Sequence, residues 1–330
     1  MLSLDTRIEL LDKLGQYMRS GDETWQEVQL RAKVANPWFT PEHIALAADN
    51  IAHHFLQKDV LREWLGNYKL PAQPKLVGIV CAGNIPLVGF HDLLCVFITG
   101  HKALLKLSSK DTVLMQHLLY KLAEWEPATE QYLQTGDVLK GCDAYITTGS
   151  NNTSRYFEQY FAKFPHIIRK NRTSVAVLEG DETDEELNRL ADDVFLYYGL
   201  GCRNVTQLQV PEGYNFERLL LAFKKYEDYI HHHKYKNNYD YHLALYLLNK
   251  VPYMTNESVL LVENELPFSA VSVVHYQYYS QLAPTLERLS LSNDIQAVIG
   301  RKAIPFGEAQ RPSVNTYADN VDTMAFLCGL

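Results

Sequence analysis

Two side chains in this sequence sit where covalent chemistry can be done. Cys202 lies between Gly201 and Arg203, directly after a stretch with Leu187, Leu190, Ala191, Val194, Phe195 and Tyr198 on one helical face. Glycine lets a substrate or other backbone approach closely. A neighbouring guanidinium favours the thiolate, the reactive form of cysteine. Asn84 follows Gly83 in a turn, Gly83-Asn-Ile-Pro86. Its amide can donate a hydrogen bond to a developing oxyanion, with the Cys202 backbone N–H as second donor. Each residue also has a plainer reading. A single cysteine most often serves as a small buried hydrophobe, and Asn is common as a turn former or helix cap.

The elements that must position these residues follow from the periodicity. Residues 1–70 read as helical, with helices over Leu4 to Met18, Pro41 to Leu56 (N-cap Thr40) and Asp59 to Leu65. After a Pro-rich linker at residues 71–74, short apolar strands are expected at Lys75–Ala82, Ala103–Leu107, Asp143–Thr147, His166–Arg169 and Ser174–Leu178. Helices separate the first three of these strands, one ending at Gly100 and one opening at Asp111. This strand–helix alternation implies an α/β fold with a parallel sheet, and ligands of such sheets sit at the carboxyl ends of the strands. The turns Gly83–Pro86, Ser108–Lys110 and Thr148–Ser150 all fall at those ends. Further on, Thr183-Asp-Glu-Glu186 is a capping box. Strands are expected at Thr206–Val210, Val259–Val262 and Ala270–Tyr276, and helices at Phe216–Lys225 and Tyr241–Asn249. The expected division is a helical segment over 1–70, one domain over 71–182 and another over 183–330, with the C-terminal tail able to pack back on the 71–182 domain.

Composition narrows the class. The 330 residues allow two domains, and 47% are apolar, as in ordinary globular proteins. A net charge of −8 argues against nucleic-acid binding. Five scattered cysteines (81, 95, 142, 202 and 328) make no CxxC pair, so reduced thiols in a cytoplasmic protein are expected, with no disulfide framework and no metal site. The first residues lack a signal-peptide pattern, and no apolar run is long enough to span a membrane. The run His231-His-His233 reads as a solvated loop. His91 and Asp92 read as helix-surface residues, with a cofactor-side place as the alternative, and Tyr276 to Tyr279 either line a ligand channel or belong to the core.

Read in order, five segments resemble landmarks of the aldehyde dehydrogenases. Asn84-Ile-Pro86 falls where the family has Asn-Phe-Pro. Lys106-Leu-Ser-Ser109 matches its Lys-Pro-Ser-Glu segment. Thr148-Gly-Ser150 matches the Thr-Gly-Ser that opens a cofactor-facing helix. Gly199-Leu-Gly-Cys202 matches the nucleophile segment, and Pro305-Phe-Gly307 a late Pro-Phe-Gly. The resemblance covers about residues 75–310. The wording of Gly83 to Asp92, with Phe306 to Gln310 and Tyr317-Ala-Asp319, is most similar to the LuxC-like acyl-CoA reductases.

The resemblance implies an aldehyde dehydrogenase-like fold, with a Rossmann-type cofactor domain over 71–182 and an α/β catalytic domain over 183–330. It implies Cys202 as nucleophile and Asn84 as oxyanion donor. Lys106 is expected at the adenosine ribose, Ser108, Ser109 and Lys110 around a 2′-phosphate, and Gly149 and Ser150 near the nicotinamide and phosphates. A Glu against the nicotinamide ribose is expected at Glu265, with Glu263 close behind. Two departures carry information. The water-activating Glu of ordinary members falls at Ile168, so hydrolysis of an acyl-enzyme lacks its general base. The Glu that meets the ribose hydroxyls in NAD-preferring members falls at Ser109, followed by Lys110, which favours NADPH. The implied activity is NADPH-dependent reduction of an acyl-CoA thioester to an aldehyde through acyl-Cys202. Alternatives are an acyl phosphate or acyl-carrier-protein thioester as substrate, or a non-catalytic partner subunit. Homo-oligomerisation and acyl-transferring partner proteins are also implied.

Overall fold

A computed structural model describes residues 2–149 and 151–330, and the chain divides into two compact units. The first comprises residues 1–171 and 312–330, the second residues 172–311.

The first unit is built on a five-stranded parallel sheet: β1 (Leu76–Val80), β2 (Lys102–Lys106), β3 (Leu133–Thr135), β4 (Ala144–Thr148) and β5 (His166–Arg169), in the order β3-β2-β1-β4-β5. Chain order reverses between β1 and β4, which opens a crevice at their carboxyl ends, the usual ligand position in such sheets. Helices α1 (Leu4–Arg19), α2 (Glu23–Ala35), α3 (Pro41–His54) and α4 (Lys58–Leu65) precede the sheet. α5 (Phe90–Thr99), α6 (Thr112–Trp125) and α7 (Asn151–Phe161) connect its strands. Thr40 caps α3 through the His43 N–H with Pro41 in the first turn, and Gly100 closes α5 at φ 87°, which only glycine adopts without strain. Ile8, Leu11 and Leu14 of α1, Ile44 and Ala48 of α3, and the sheet residues Val77, Ile79 and Ile146 share one hydrophobic core. The N-terminal helices are therefore part of the sheet's own unit.

The second unit has a six-stranded sheet in the order β11-β6-β7-β10-β9-β8. Its strands are β6 (Thr173–Val177), β7 (Val205–Pro211), β8 (Met254–Thr255), β9 (Leu260–Glu263), β10 (Val273–Tyr279) and β11 (Ile295–Ile299). All pair in parallel except β8 with β9. α8 (Asp184–Phe195) and α9 (Phe216–Phe223) bury Leu187, Leu190, Val194, Leu219 and Phe223 with Leu208 and Val274. α11 (Leu282–Ser290) contributes Leu289 to a separate cluster with Val175, Val177 and Ile295. α10 (His233–Leu248) places Tyr239 with Leu260, Val262 and Val273.

The C-terminal tail returns to the first unit: residues 312–330 belong to it, and α12 (Thr323–Cys328) packs on α5. Two expectations are corrected. The division falls at residue 171/172 and not at 182/183, because β6 hydrogen-bonds to β7 and β11 in the second sheet. The His231–His233 run is not a loop: it joins a 3₁₀ helix (Lys224–His231) to α10, with His232 as the N-cap of α10, its ring 4.7 Å from that of Tyr198.

Asp92 and His91 are also not surface residues of α5. Asp92 is 5% exposed and pairs with the equally buried Arg169 at the end of β5, and Arg169 donates to Thr323 Oγ1 at 2.8 Å. His91 Nε2 meets the Val314 carbonyl at 2.7 Å. Removing one member of a buried ion pair strands the other charge in a low-dielectric interior, at about 3–5 kcal/mol. Asp92→Ala should lower the stability of the protein by that amount in urea unfolding. The double change Asp92→Leu with Arg169→Met should recover most of the loss.

Candidate active site

Cys202 lies in a tight turn between α8 and β7. The chain leaves α8 through Tyr197, Tyr198 and Gly199, whose φ angles of 56°, 57° and 74° are all left-handed. Two tyrosines in that region cost roughly 1–2 kcal/mol each, so something outside the turn must hold it. Tyr198 packs against Tyr229 at a ring-centroid distance of 4.3 Å. Beyond the turn lies Asn204, fully buried, whose side chain bonds on both sides. Its Nδ2 donates to the carbonyls of Asp193 (3.1 Å), Val194 (3.3 Å) and Leu196 (2.9 Å), the carbonyl groups that the C-terminus of α8 leaves open. Its Oδ1 accepts from the Gly201 N–H at 2.8 Å. The Asn204 N–H donates to the Gly201 carbonyl at 3.1 Å, and Ser174 Oγ of β6 donates to the Cys202 carbonyl at 3.0 Å.

The five thiols separate by environment. Cys81, Cys95 and Cys142 are buried, whereas Cys202 and Cys328 are half-buried. Burial pushes the Cys81 thiol up to about 12, with Asp92 and Asp111 adding to the effect, and pushes Cys95, Cys142 and Cys328 up as well. Thiols held up in this way are poor nucleophiles. Arg203, next to Cys202, is half-buried and contacts the Ala309 carbonyl at 3.5 Å. Burial lowers its pKa, and the charge of Cys202 acts against that lowering. The late Pro305-Phe-Gly307 segment is tied to the same helix, because Asp193 of α8 accepts from the N–H groups of Gly307 (2.7 Å) and Ala309 (3.0 Å).

Glu263 ends β9, and Glu265 follows in an exposed loop of the same unit. That loop is fastened to β7 by Thr206 Oγ1, which donates to the Pro267 carbonyl at 2.5 Å, and by Gln207 Nε2, which donates to the Asn264 carbonyl at 2.9 Å. The tyrosine run has a different place. Tyr276 packs on Phe216 (centroids 4.6 Å apart), and Tyr278 and Tyr279 border an open pocket of about 300 Å³ with Gln209 and Arg288. That pocket is at the carboxyl end of β7, whereas Cys202 precedes its amino end.

In the first unit the remaining expected residues lie after the carboxyl ends of β1, β2 and β4. Asn84 is in the turn after β1, half-buried, and α5 begins only at Phe90 with Gly89 as N-cap, so Asn84 is not the cap of that helix. Lys106 ends β2. Ser108 Oγ accepts from the Lys110 N–H at 3.3 Å, and Ser109 and Lys110 are exposed. Gly83 is required here: a Cβ at that position would collide with the Ser108 side chain. The two turns are thereby in contact. Gly149 follows β4, its N–H donating to the Arg169 carbonyl at 3.4 Å. Ser150 lies outside the described residues. The first unit thus contains Asn84, Lys106, Ser108, Ser109, Lys110 and Gly149, and the second contains Cys202 and Glu265.

Asp111, Ser174, Asp193 and Asn204 were not anticipated from the sequence. Asp111 is buried, and its Oδ2 accepts from the N–H of Leu87, a left-handed residue (φ 58°) in the Asn84 turn, at 2.7 Å. An Asp at a helix start reads as an ordinary cap, and only burial shows that this one faces the turn.

No family model matches the sequence, and no curated protein matches it. Solved structures do match. Indole-3-acetaldehyde dehydrogenase of P. syringae, in complex with NAD+ and IAA, superimposes with a TM-score of 0.65 at 11% identity, over 90% of this chain and 72% of that one. Aldehyde dehydrogenase 21 of Physcomitrella patens, in complex with the reaction product succinate, gives 0.66 at 12% identity, over 91% and 74%. The aldehyde dehydrogenase KauB of Pseudomonas aeruginosa gives 0.64 at 11% identity, over 90% and 72%. The chain therefore has the aldehyde dehydrogenase fold. No helix among the described residues is long and apolar enough to cross a membrane.

Burial pushes the Asp111 carboxyl up to about 8, against the lowering effect of its bond from Leu87. Its proton is held more tightly folded than unfolded. The stability this contributes is complete below the ordinary carboxylate range of about 4 and is lost as pH rises toward 8. Asp111→Asn, which resembles the neutral carboxyl, should flatten that decline. The check is the thermal midpoint of both proteins from pH 4 to pH 8.5: the gap between them should shift in favour of the variant as pH rises.

Proposed function

We propose that this protein is an oxidoreductase of the aldehyde dehydrogenase type that reduces an acyl-CoA thioester to the aldehyde, with Cys202 as the acyl-carrying nucleophile and NADPH as reductant. The observation that carries this reading is the Cys202 turn. Its thiol is half-buried beside Arg203, in a backbone held by Asn204 and Ser174.

Two features support reduction over oxidation to an acid. The position at which the family resemblance puts a water-activating Glu is Ile168 on β5, which offers no base to deprotonate water. The next residue, Arg169, is committed to Asp92 and Thr323. An acyl-enzyme in such a site resists hydrolysis and persists until it is reduced.

The segment after β2 suits a phosphorylated ribose. Lys106, Ser109 and Lys110 are exposed there, and the acidic side chain that follows, Asp111, is buried toward the Leu87 N–H. A carboxylate at position 109 would repel a 2′-phosphate, whereas Ser and Lys accept it. Lys106 would hold the adenosine ribose, with Ser108, Ser109 and Lys110 at the 2′-phosphate, Gly149 and Ser150 near the nicotinamide and phosphates, and Glu265 at the nicotinamide ribose. When bound, the cofactor supplies hydride.

In the acylation step the Cys202 thiolate attacks the thioester carbonyl. The Cys202 N–H would serve as a donor for the tetrahedral oxyanion, and the family resemblance adds the Asn84 amide as a second. The C–S bond to coenzyme A breaks, and the leaving thiolate takes its electron pair. After reduction the same donors would hold the thiohemiacetal oxyanion, whose collapse returns an electron pair to the Cys202 sulfur and frees the aldehyde.

Intact-protein mass spectrometry with acyl-CoA thioesters of graded chain length and no cofactor tests this reading. The expected result is an acyl adduct that maps to Cys202, is absent in Cys202→Ala and disappears on addition of NADPH. No adduct at any chain length would overturn the acyl-CoA assignment. Ser109→Glu should shift the ratio of kcat/KM for NADPH over NADH toward NADH by about 10-fold or more, the scale of one or two charge-assisted hydrogen bonds.

A further inference from the structure

We infer that Asn204 and Ser174 are positioning residues that aim the backbone N–H of Cys202 at the oxyanion. The inference rests on the reading of Cys202 as an acyl-accepting nucleophile, and goes beyond it by naming the groups that orient its donor.

The geometry is that of three consecutive peptide units, each held by a separate bond. The unit between Leu200 and Gly201 is fixed by its N–H, which donates to Asn204 Oδ1 at 2.8 Å. The unit between Gly201 and Cys202 is fixed by its carbonyl, which accepts the Asn204 N–H at 3.1 Å. The unit between Cys202 and Arg203 is fixed by its carbonyl, which accepts Ser174 Oγ at 3.0 Å. In a planar trans peptide the N–H points opposite to the C=O. The Gly201 carbonyl faces Asn204, so the Cys202 N–H faces away from Asn204. Rotation of that unit would break the Asn204 contact behind it or twist the clamped units on either side.

The clamp has a rigid base. Asn204 Nδ2 is bonded to the carbonyls of Asp193, Val194 and Leu196 at the end of α8, and the Asn204 carbonyl accepts the Ser174 N–H of β6 at 3.2 Å. Helix, strand and turn therefore meet at one fully buried amide. Ser174 is fully buried as well, and its hydroxyl is directed at the Cys202 carbonyl. A donor fixed before the substrate arrives needs no reorganisation when charge develops, and this is the source of oxyanion stabilisation.

Two covalent probes separate the aim of the N–H from the reactivity of the thiolate. With p-nitrophenyl acetate, the Cys202 sulfur forms a bond to the acetyl carbon, the ester C–O bond breaks, and p-nitrophenolate leaves with the electron pair. That reaction passes through an oxyanion. With iodoacetamide, sulfur displaces iodide at a saturated carbon, and no oxyanion forms. Rates would be followed on the full chain by nitrophenolate release and by mass, with Cys202→Ala defining the background.

Ser174→Ala and Asn204→Ala, the latter removing the acceptor of the Gly201 N–H, should slow acetylation of Cys202 by about 10- to 100-fold, a fraction of the roughly 10²–10³-fold effect of losing an oxyanion donor outright. Alkylation should change by less than about 3-fold. Ser174→Thr, which keeps the hydroxyl, should restore acetylation. Equal losses in both reactions, or no loss of acetylation in Ser174→Ala with its fold intact by circular dichroism, would overturn the inference. So would a wild-type Cys202 that is alkylated but never acetylated. Wild-type protein that is acetylated by the ester but not acylated by any acyl-CoA would overturn the substrate assignment, and would leave the positioning role supported if the variants still separate the two probes.

Discussion

Arg169 is the charge around which the first unit is organised. Arg169 is 5% exposed, and taking a guanidinium out of water costs several kcal/mol unless its partners are close and well placed. Those partners come from segments far apart in the chain: Asp92 on α5 and Thr323 at the start of α12. The end of β5, an otherwise apolar helix and the returning C-terminal segment must converge before the charge is compensated. Other polar side chains then secure the return. Trp64 Nε1 donates to the Tyr317 hydroxyl at 2.8 Å, the Tyr68 hydroxyl to Asp322 at 2.9 Å, and His101 Nε2 meets the Leu327 carbonyl at 2.9 Å. Residues 312–330 hold their place by directional bonds as much as by apolar burial.

The strand that carries Arg169 also carries Ile168, the position at which the family resemblance expects a water-activating carboxylate. Neighbouring residues of a strand face opposite sides of the sheet. Ile168 is half-buried whereas Arg169 is buried, so the Asp92–Arg169–Thr323 arrangement occupies one face of the sheet and places no demand on the side chain at 168.

Much of this architecture was legible because parallel strands buried on both faces read as short apolar runs, as in Leu76–Val80 and Ala144–Thr148. The unit boundary was not legible. β5 and β6 are two apolar strands only three residues apart, at 166–169 and 173–177, and nothing local assigns them to different sheets. That assignment is made by β7 and β11, which flank β6 from about 30 and 120 residues further along. α10 was misjudged at its start for a related reason. His233-Lys-Tyr-Lys-Asn-Asn has middling helix propensity, α10 shows no clear apolar stripe, and tertiary packing of Tyr235 and Tyr239 decides the outcome. Asp92 looked like a polar interruption of an apolar run, since its partner is 77 residues away.

The Cys202 turn shows the same limit at smaller scale. Gly201, Cys202 and Arg203 mark a candidate thiol by their types, but Asn204 acts on carbonyls 8 to 11 residues upstream, and no local pattern records that. Its effect is nonetheless the condition for the turn. Tyr197 and Tyr198 would not stay left-handed in a free chain, where each would relax to an ordinary conformation. They stay because Tyr198 is packed among Tyr229, His232 and Tyr235, and because the amide of Asn204 caps the helix they leave. Backbone strain of this kind persists only where surrounding contacts over-determine it. The backbone conformation at Cys202 is therefore imposed by burial on both sides of the turn and exists before any ligand binds, so no binding energy is needed to create it.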